Sequence, residues 1–363
     1  MKKKILLAMF LGAVILAASC GRQFDPYWRI QDFRVLAIKG DPVTIRPGQT
    51  ARLSALIHSD GEPVSYKWDW CPVRVTAQNR FECPFTSEDI QALLAQGLPD
   101  GTEIPSGIDG TLLNFDLGTE PVARLFNPLP AAAILEFCRN IQRQLSEALD
   151  PELAKLLPTV DCRRGYEITV RLTASSGGKE IIASKRLTLW TGSDQINTNP
   201  RILSAEIRPA NERDIAKLAS QLDWVVAGRA HDDQWVVLPE DSAMPIVVGV
   251  PFEVRSLVDP ETVQTWQPHA PIGSETELLD PEREALAYRW FTTLGTLSDS
   301  RRIFRENVNT LEEASVTALT VSEEALDACL RRPDGSCEVT VWTVARDGRL
   351  GLDWIERKLV LSE

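Results

Sequence analysis

The chain has 363 residues, of which 44% are hydrophobic and 25% are charged, the balance of an ordinary globular protein with one to three domains. Its formal net charge at pH 7 is −12, with 39 Lys and Arg against 51 Asp and Glu. This excess of acid repels phosphate groups, so the composition argues against nucleic acid and against anionic membrane surfaces as partners.

The first residues are typical of a segment that directs a chain to export. The basic stretch Lys2–Lys4 precedes an uncharged apolar run, Ile5–Ser19, which is shorter than the roughly 20 residues of a membrane-spanning helix. We therefore predict a signal peptide over residues 1–19. Its removal leaves 36 basic and 51 acidic residues, a net charge of −15.

The apolar run ends in Ala17-Ala18-Ser19-Cys20, small residues followed by Cys. This stretch resembles the bacterial lipobox, whose Cys is acylated and becomes the mature amino end. The resemblance implies lipidation at Cys20, a membrane anchor through the N-terminal lipid, and an outer-membrane location because Gly21 rather than Asp follows. More than one acyl chain, at about 0.8 kcal/mol per buried CH₂, would hold the protein permanently. The competing interpretation is an ordinary secretory signal with a stray Cys. Residues 20–32 are then a polar tether.

Short alternating segments separated by turn residues follow the tether and predict β-strands. The stretch Arg34–Ile38 is one, and Thr50–His58 alternates with Ala51, Leu53, Ala55 and Ile57 on one side. Further strands are expected at Val64–Trp68 and on both sides of the Gly177-Gly178 turn. Several short strands with Pro and Gly turns between them predict a β-sandwich.

Between the strands of this sandwich lies a stretch, residues 72–161, that we predict to be a helical insert. Thr86-Ser87 offers an N-cap for a helix that Gly97 ends, and from Ala131 apolar residues recur every three or four positions. Loops on a sandwich often carry function, so the insert is the expected place for a partner to bind. The alternative is that its helices only cover the edge of a sheet.

Six cysteines besides Cys20 predict disulfides, since an even number in an exported chain is typical of a disulfide framework. They are Cys71, Cys83, Cys138, Cys162, Cys329 and Cys337. Cys329 and Cys337 flank a Pro-Asp-Gly turn and form the expected pair of the C-terminal half. The first four allow a sequential pairing, Cys71–Cys83 with Cys138–Cys162, which we favour, or a nested Cys71–Cys162 bridge. Zinc is disfavoured because the chain has no Cys-x-x-Cys and its His residues lie far from the Cys.

The pattern of the first half recurs in the second half. Tyr66-Lys67-Trp68 returns as Tyr288-Arg289-Trp290, Glu167–Val170 as Glu338–Val341, and Arg34–Ile38 as Arg201–Ala205. The matches occur in the same order. The sequence therefore predicts a duplication, with domains at 33–191 and 201–363 joined by a linker, 192–200. Because the linker is short and polar, we expect the domains to pack end to end.

The Tyr-x-Trp strand and the late hairpin Val341–Gly348 resemble bacterial immunoglobulin-like and PKD-like domains. Neither copy has the Gly-Asp-Gly element of PKD domains, so immunoglobulin-like is the better description. The resemblance implies a mainly β fold of two tandem immunoglobulin-like β-sandwiches, the first with a helical disulfide-bearing insert, and core positions for Trp68 and Trp290. The layout from lipobox to second sandwich is similar to uncharacterised myxobacterial-type envelope lipoproteins.

No motif of the sequence predicts catalysis, a cofactor or a metal site, so we expect a protein that is not an enzyme. His231-Asp232-Asp233, Asp259-Pro260-Glu261 and Asp280-Pro281-Glu282 are interpreted as loops or turns, and Arg346–Arg349 as a hairpin turn. The expected role is structural or in protein interaction, with an unknown envelope protein or glycan as partner. The alternative is carbohydrate binding on surface tryptophans, Trp235, Trp266 or Trp354. A hydrolase hidden in the insert would lack a His and a nucleophile signature.

Overall fold

A computed structural model describes residues 26–362, apart from 60, 85, 87, 89–114, 149–160, 193–194, 212–234, 271–276, 330 and 332–334; for residues 141–148 it describes the backbone alone. Cys20, His231 and the helix expected after Thr86 fall largely or wholly outside these residues. In this part of the chain, no helix has the length and apolar character needed to cross a bilayer.

The first sandwich consists of a three-stranded and a five-stranded sheet. Its strands are β1 (Arg34–Asp41), β2 (Thr44–Ile45), β3 (Thr50–His58), β4 (Ser65–Cys71), β5 (Asp116–Gly118), β6 (Val122–Phe126), β7 (Tyr166–Ser176) and β8 (Lys179–Leu189). The sheet orders are β1-β3-β6 and β2-β8-β7-β4-β5, with β2 parallel to β8 and the other pairs antiparallel. Buried alternate residues of both sheets form one core.

The second sandwich also consists of two sheets. Its strands are β9 (Ile202–Pro209), β10 (Val236–Val237), β11 (Met244–Val247), β12 (Pro251–Val258), β13 (Thr265–Trp266), β14 (Glu282–Arg283), β15 (Leu286–Thr292), β16 (Thr296–Leu297), β17 (Arg301–Phe304), β18 (Val316–Thr320), β19 (Cys337–Asp347) and β20 (Leu352–Ser362). Both sheets have five strands and their orders are related, β10-β9-β12-β18-β16 and β11-β20-β19-β15-β17. The short strands β13 and β14 pair with each other outside both sheets.

Helices are few in the described residues. They are α1 (Ala131–Ala148), α2 (Leu311–Ala314) and the 3₁₀ turns Ala77–Asn79, Cys162–Arg164, Pro260–Thr262 and Glu323–Ala328. The fold is therefore two tandem immunoglobulin-like β-sandwiches, with a helical and disulfide-bearing insert in the first.

The two sandwiches share strand register as well as strand order. Trp68 lies opposite Leu172 on β7, and Trp290 lies opposite Thr343 on β19. Both parallel pairs recur as well, β2 with β8 and β11 with β20. Even an irregularity is repeated, because β1 skips Leu36 against β3 and β9 skips Leu203 against β12. Such a bulge adds one residue to a strand and redirects its side chains.

The stretch 72–161 differs in part from a purely helical insert. Besides α1, it contains β5, which pairs with Trp68 and Asp69 of β4, and β6, which pairs with β3. Each of these strands completes one of the two sheets. On β6, Ala123 and Leu125 are buried while Arg124 and Phe126 are exposed, which is the alternation of a strand with one covered face.

Candidate functional site

The two tryptophans that the sequence singles out occupy the centre of each core. Trp68 and Trp290 are both 0% exposed, on the equivalent strands β4 and β15. The Trp68 indole donates from Nε1 to the carbonyl oxygen of Glu120 at 3.0 Å. The Trp290 Nε1 has no hydrogen-bond acceptor among the residues described. Tyr288, also fully buried, stacks on Trp290 with ring centroids 5.9 Å apart. These side chains are therefore structural.

Three disulfides join the six cysteines in the sequential arrangement. The bridges are Cys71–Cys83, Cys138–Cys162 and Cys329–Cys337, with Cα–Cα distances of 5.4, 6.0 and 6.0 Å. The nested Cys71–Cys162 bridge is not present. Disulfides of this number are typical of an oxidising compartment, which indicates an extracellular or envelope location.

The Cys138–Cys162 bridge fixes α1 to the first sandwich. The described half of the helix buries Ala133, Ile134 and Phe137 together with Cys138, and the Phe137 ring meets Tyr166 edge-on at 5.4 Å. One side of the helix is thus part of the core of the first sandwich.

Within the residues that the structure describes, no group of three His, Cys, Asp or Glu side chains is arranged to hold a metal ion. Asp259 caps the 3₁₀ turn that follows it, accepts from the backbone N–H of Glu261, and pairs with Arg201. Asp347 similarly accepts from the backbone N–H groups of Arg349 and Gly351 in the β19–β20 turn. Both carboxylates hold turns together.

The tryptophans considered for sugar binding are in contact with other groups. The guanidinium groups of Arg208 and Arg255 lie 4.5 and 4.1 Å from the ring centroid of Trp235. The Arg349 guanidinium lies 5.0 Å from the ring centroid of Trp266. Trp354 packs against residues of both sandwiches. Each ring is partly buried, and its contacts are with protein groups.

The most distinctive feature of the molecule is the contact between its two sandwiches. Outward residues of the first sandwich and of the preceding segment pack on the outward face of the β15-β19-β20 sheet. They form an apolar junction cluster of Ile30, Leu36, Ala37, Leu56, Phe291, Trp342, Val344 and Leu352, each at most 7% exposed. The sandwiches therefore pack side by side, and the end-to-end arrangement expected from the linker is wrong. The polarity of the linker does not predict this arrangement, because the apolar contact is made by strand faces far from the linker.

The repeated bulge shows how the junction arises from the duplicated fold. In the first sandwich the extra residue, Leu36, is 7% exposed and belongs to the junction cluster. In the second sandwich its equivalent, Leu203, is 55% exposed.

The sequence analysis did not identify the residues of the junction cluster, although the pattern of β19 indicates them. On β19, Val339 and Val341 face the core while Trp342 and Val344 face outwards, and apolar residues on both faces predict a strand that is covered on both sides.

A polar network borders the junction cluster, and much of it is buried. Lys185 of β8 donates to the carbonyl oxygen of Leu350 in the other sandwich. Asn197 of the linker donates from Nδ2 to Asp347 Oδ2 at 3.1 Å and to the carbonyl oxygen of Arg349 at 2.8 Å. Arg349 Nη1 lies 3.1 Å from Glu284 Oε1, and that carboxylate side chain is 2% exposed. On the other side of the cluster, Lys39 Nζ lies 2.8 Å from Asp353 Oδ1.

Burial shifts the protonation of this network towards neutral forms. Burial lowers the pKa of Lys185 from 10.5 to about 7, an effect that Arg346 strengthens and Asp347 opposes. Burial raises the pKa of Glu284 to about 7; Asp347 adds to the rise, and Arg349 opposes it. The pKa of Asp347 is also raised by burial, against the hydrogen bond from Asn197. The junction therefore contains groups whose charge changes near neutral pH.

The segment predicted to be a tether is itself attached to the second sandwich. Ile30 N–H donates to the Thr292 carbonyl oxygen at 2.8 Å, and Thr292 N–H donates to the Trp28 carbonyl oxygen at 3.0 Å. Residues 28–30 thus lie along the end of β15 before the chain enters the first sandwich. Nearby, a cleft of about 430 Å³ is lined by residues of this segment and of both sandwiches, including Gln31, His58 and Thr293.

No protein-family model matches the chain, and no curated protein matches it. Among solved structures, a chimeric titin Z1Z2 is similar over 92% of this chain and 98% of its own, at 11% identity and a TM-score of 0.17. Murine CEACAM1b is similar over 91% of this chain and 100% of its own, at 7% identity and a TM-score of 0.17. A red sea bream transglutaminase is similar over 92% of this chain but only 32% of its own length, at 8% identity and a TM-score of 0.20. Since these scores are far below 0.5, the fold assignment depends on the strand order and register given above.

Proposed function

We propose that the protein is a lipid-anchored, non-enzymatic component of the cell envelope whose two sandwiches act as one rigid body in a structural or protein-interaction role. The junction between the sandwiches carries this proposal. Contacts between domains of one chain are usually modest and permit relative motion unless they are large and hydrophobic. Here eight side chains, each at most 7% exposed, form a continuous apolar contact, and the segment before the first sandwich is hydrogen-bonded to the second.

The chemistry of the described residues agrees with such a role. The buried ionisable groups hold turns and the junction together, and the cysteines form bridges. Lipid anchoring is supported by the stretch Ala17-Ala18-Ser19-Cys20 alone. The contacts of Trp235, Trp266 and Trp354 give sugar binding no support, so a single role is proposed.

Anchoring is tested by the full chain carrying Cys20→Ala, expressed in its native envelope. We expect wild type to sediment with membranes and to incorporate radiolabelled palmitate, and the variant to lose both properties. A variant that stays with membranes and a wild type without label would together contradict the lipid anchor. As a control, the disulfides of Cys20→Ala are examined, because intact disulfides would show that the variant is still exported and folded.

We place the partner surface on the exposed side of α1, in the insert where a partner is expected, and test it by photo-crosslinking in intact envelopes. A crosslinking amino acid replaces exposed Arg139 on the outer side of α1, and a second chain carries it at exposed Arg46 as a control. We expect a discrete crosslinked species from position 139 and none from position 46. Equal crosslinking from both positions, or from neither, would refute α1 as the partner surface.

Rigidity is tested by small-angle X-ray scattering of wild type and of Val344→Asp, which places a charge in the junction cluster. Val344 is 0% exposed, and its side chain points away from the core of its own sandwich, so the change acts on the junction. We expect a larger radius of gyration for the variant. An equal radius, with both sandwiches still folded, would contradict the rigid junction. The control is Val237→Asp, at a position that is 59% exposed.

A further inference from the structure

The surface from which the N-terminal segment leaves the folded body is basic, although the chain as a whole is acidic. Arg34 donates from Nη1 to the carbonyl oxygen of Tyr27 at 2.7 Å. Tyr27 is 52% exposed, and its hydroxyl lies 2.7 Å from Ser300 Oγ, next to Arg301 in the chain. Arg289 lies directly opposite Arg301 in the β15–β17 pair. We call Tyr27, Arg34, Arg289 and Arg301 the tether-exit surface.

The arginines of the tether-exit surface lie outside the two cores, with Arg34 and Arg301 exposed and Arg289 partly buried. Arg289 lies between the fully buried Tyr288 and Trp290, so the alternation of the strand directs its side chain away from the core. Within the described residues, Arg34, Arg289 and Arg301 form no ion pair. The nearest carboxylates in the chain are ion-paired with other residues, Asp32 with Lys179 at 2.7 Å and Asp299 with Arg302 at 2.6 Å. Lys179 chiefly, and Arg34 to a smaller extent, lower the pKa of Asp32, so Asp32 compensates part of the charge of Arg34.

The position of this surface relative to a lipid at Cys20 is restricted. Residues 28–30 are held on β15 by backbone hydrogen bonds, so the chain leaves the body at a defined place. Cys20 lies six residues before Pro26, and six residues span at most about 20 Å when fully extended. An acylated Cys20 therefore keeps the tether-exit surface close to the membrane, where the charge of headgroups acts over roughly 10 Å.

We propose that the tether-exit surface rests on anionic phospholipid headgroups, so that the two-sandwich body stands on the membrane in one orientation. This inference depends on the proposed lipid anchor. Each arginine near an anionic membrane surface favours contact by about fivefold. The rest of the protein carries the acidic excess and is repelled by the same headgroups, which favours the same orientation. The acidic composition argues against a general affinity of the protein for anionic membranes, but not against this local one.

The test uses the full acylated chain in vesicles of phosphatidylcholine with phosphatidylglycerol, and in vesicles of phosphatidylcholine alone. A fluorophore is attached at Gln31→Cys, an exposed position beside the tether-exit surface, or at Glu261→Cys, an exposed position near the opposite end of the second sandwich. A nitroxide on the lipid headgroup quenches whichever fluorophore approaches the membrane. We expect stronger quenching at position 31 than at 261 in the anionic vesicles, and a smaller difference in neutral ones.

Charge reversal then identifies the groups responsible. In the anionic vesicles, the double variant Arg34→Glu with Arg301→Glu should shift the population away from the orientation in which the tether-exit surface faces the membrane. Each arginine lost lowers the ratio of this orientation to all others by about fivefold, so the two together lower it by at least about 25-fold. Arg46→Glu with Arg52→Glu, which makes the same change of net charge at exposed sites on β3 and the turn before it, should leave the quenching unchanged.

Two failures are distinguishable by vesicle flotation. If the protein floats with vesicles but positions 31 and 261 are quenched equally, the orientation is wrong while the anchor stands. If acylated protein cannot be obtained and the chain does not float, the proposed function fails and the orientation fails with it. Equal effects of the two charge-reversal pairs would also overturn the proposal.

Discussion

Lys185 provides the sharpest test of how the junction is built. Lys185 is 8% exposed at the contact between the sandwiches, and burial lowers the pKa of its amine from 10.5 to about 7. Between these values the unfolded chain binds a proton that the folded chain does not. The free energy of unfolding therefore rises with pH in this window, by about 1.4 kcal/mol per pH unit for one group. Over pH 7 to 9 the expected gain is roughly 2–3 kcal/mol.

Lys185→Met removes the titrating group and keeps most of the volume of the side chain. Its free energy of unfolding should be nearly constant from pH 7 to 9, whereas that of wild type should rise. Urea denaturation at pH 7, 8 and 9, followed by tryptophan fluorescence, measures both curves with the disulfides intact. Glu284, with a pKa of about 7, adds little above pH 7, so this window isolates Lys185. Parallel pH dependence in wild type and Lys185→Met would refute the reasoning.

Four further predictions concern buried groups. In the folded chain the pKa of Glu284 is raised from 4.5 to about 7. Between these values the folded chain binds a proton that the unfolded chain has lost, so the free energy of unfolding should fall as the pH rises from 4.5 to 7. Urea denaturation of Glu284→Gln over this range should show no such fall. Trp68→Ala and Trp290→Ala should each lower the free energy of unfolding by roughly 3–5 kcal/mol, and a denaturant midpoint that barely moves would contradict this. Trp68→Phe should be destabilised by about 1 kcal/mol more than Trp290→Phe, because only the Trp68 indole donates to a described backbone carbonyl; equal midpoints would refute it. Cys138→Ser with Cys162→Ser should lower stability by about 2–4 kcal/mol, measured by thermal unfolding, whereas an unchanged melting temperature would show that α1 is held by packing alone.

The sandwich fold could be predicted because it depends on local patterns. Alternation in Thr50–His58 and the glycine turn at Gly177-Gly178 follow from the geometry of strands and hairpins. The burial of Trp68 and Trp290 follows from the size and apolar character of the indole, repeated in the same surroundings. The sequence favoured the sequential disulfide arrangement, but it also allowed the nested Cys71–Cys162 bridge.

The strands β5 and β6 and the junction between the sandwiches were not predicted. The strands are short, β5 having only three residues, and turn-rich sequence precedes them, so their alternation is too brief to outweigh the helical pattern that follows from Ala131. The junction is a tertiary contact between surfaces distant in sequence. Its apolar residues, such as Leu36 and Trp342, lie on strands whose other face is also buried, and such strands do not show the alternation that reveals a face.

The attachment of Trp28–Ile30 to β15 has a consequence for the order of events during biogenesis. These residues are synthesised early, yet their hydrogen-bond partner Thr292 is synthesised late. Contacts of such long sequence separation form slowly, since the intervening chain must first be brought together. The amino-terminal segment therefore finds its hydrogen-bond partners only after β15 has been synthesised, so the closing of the two-sandwich body is a late step of folding.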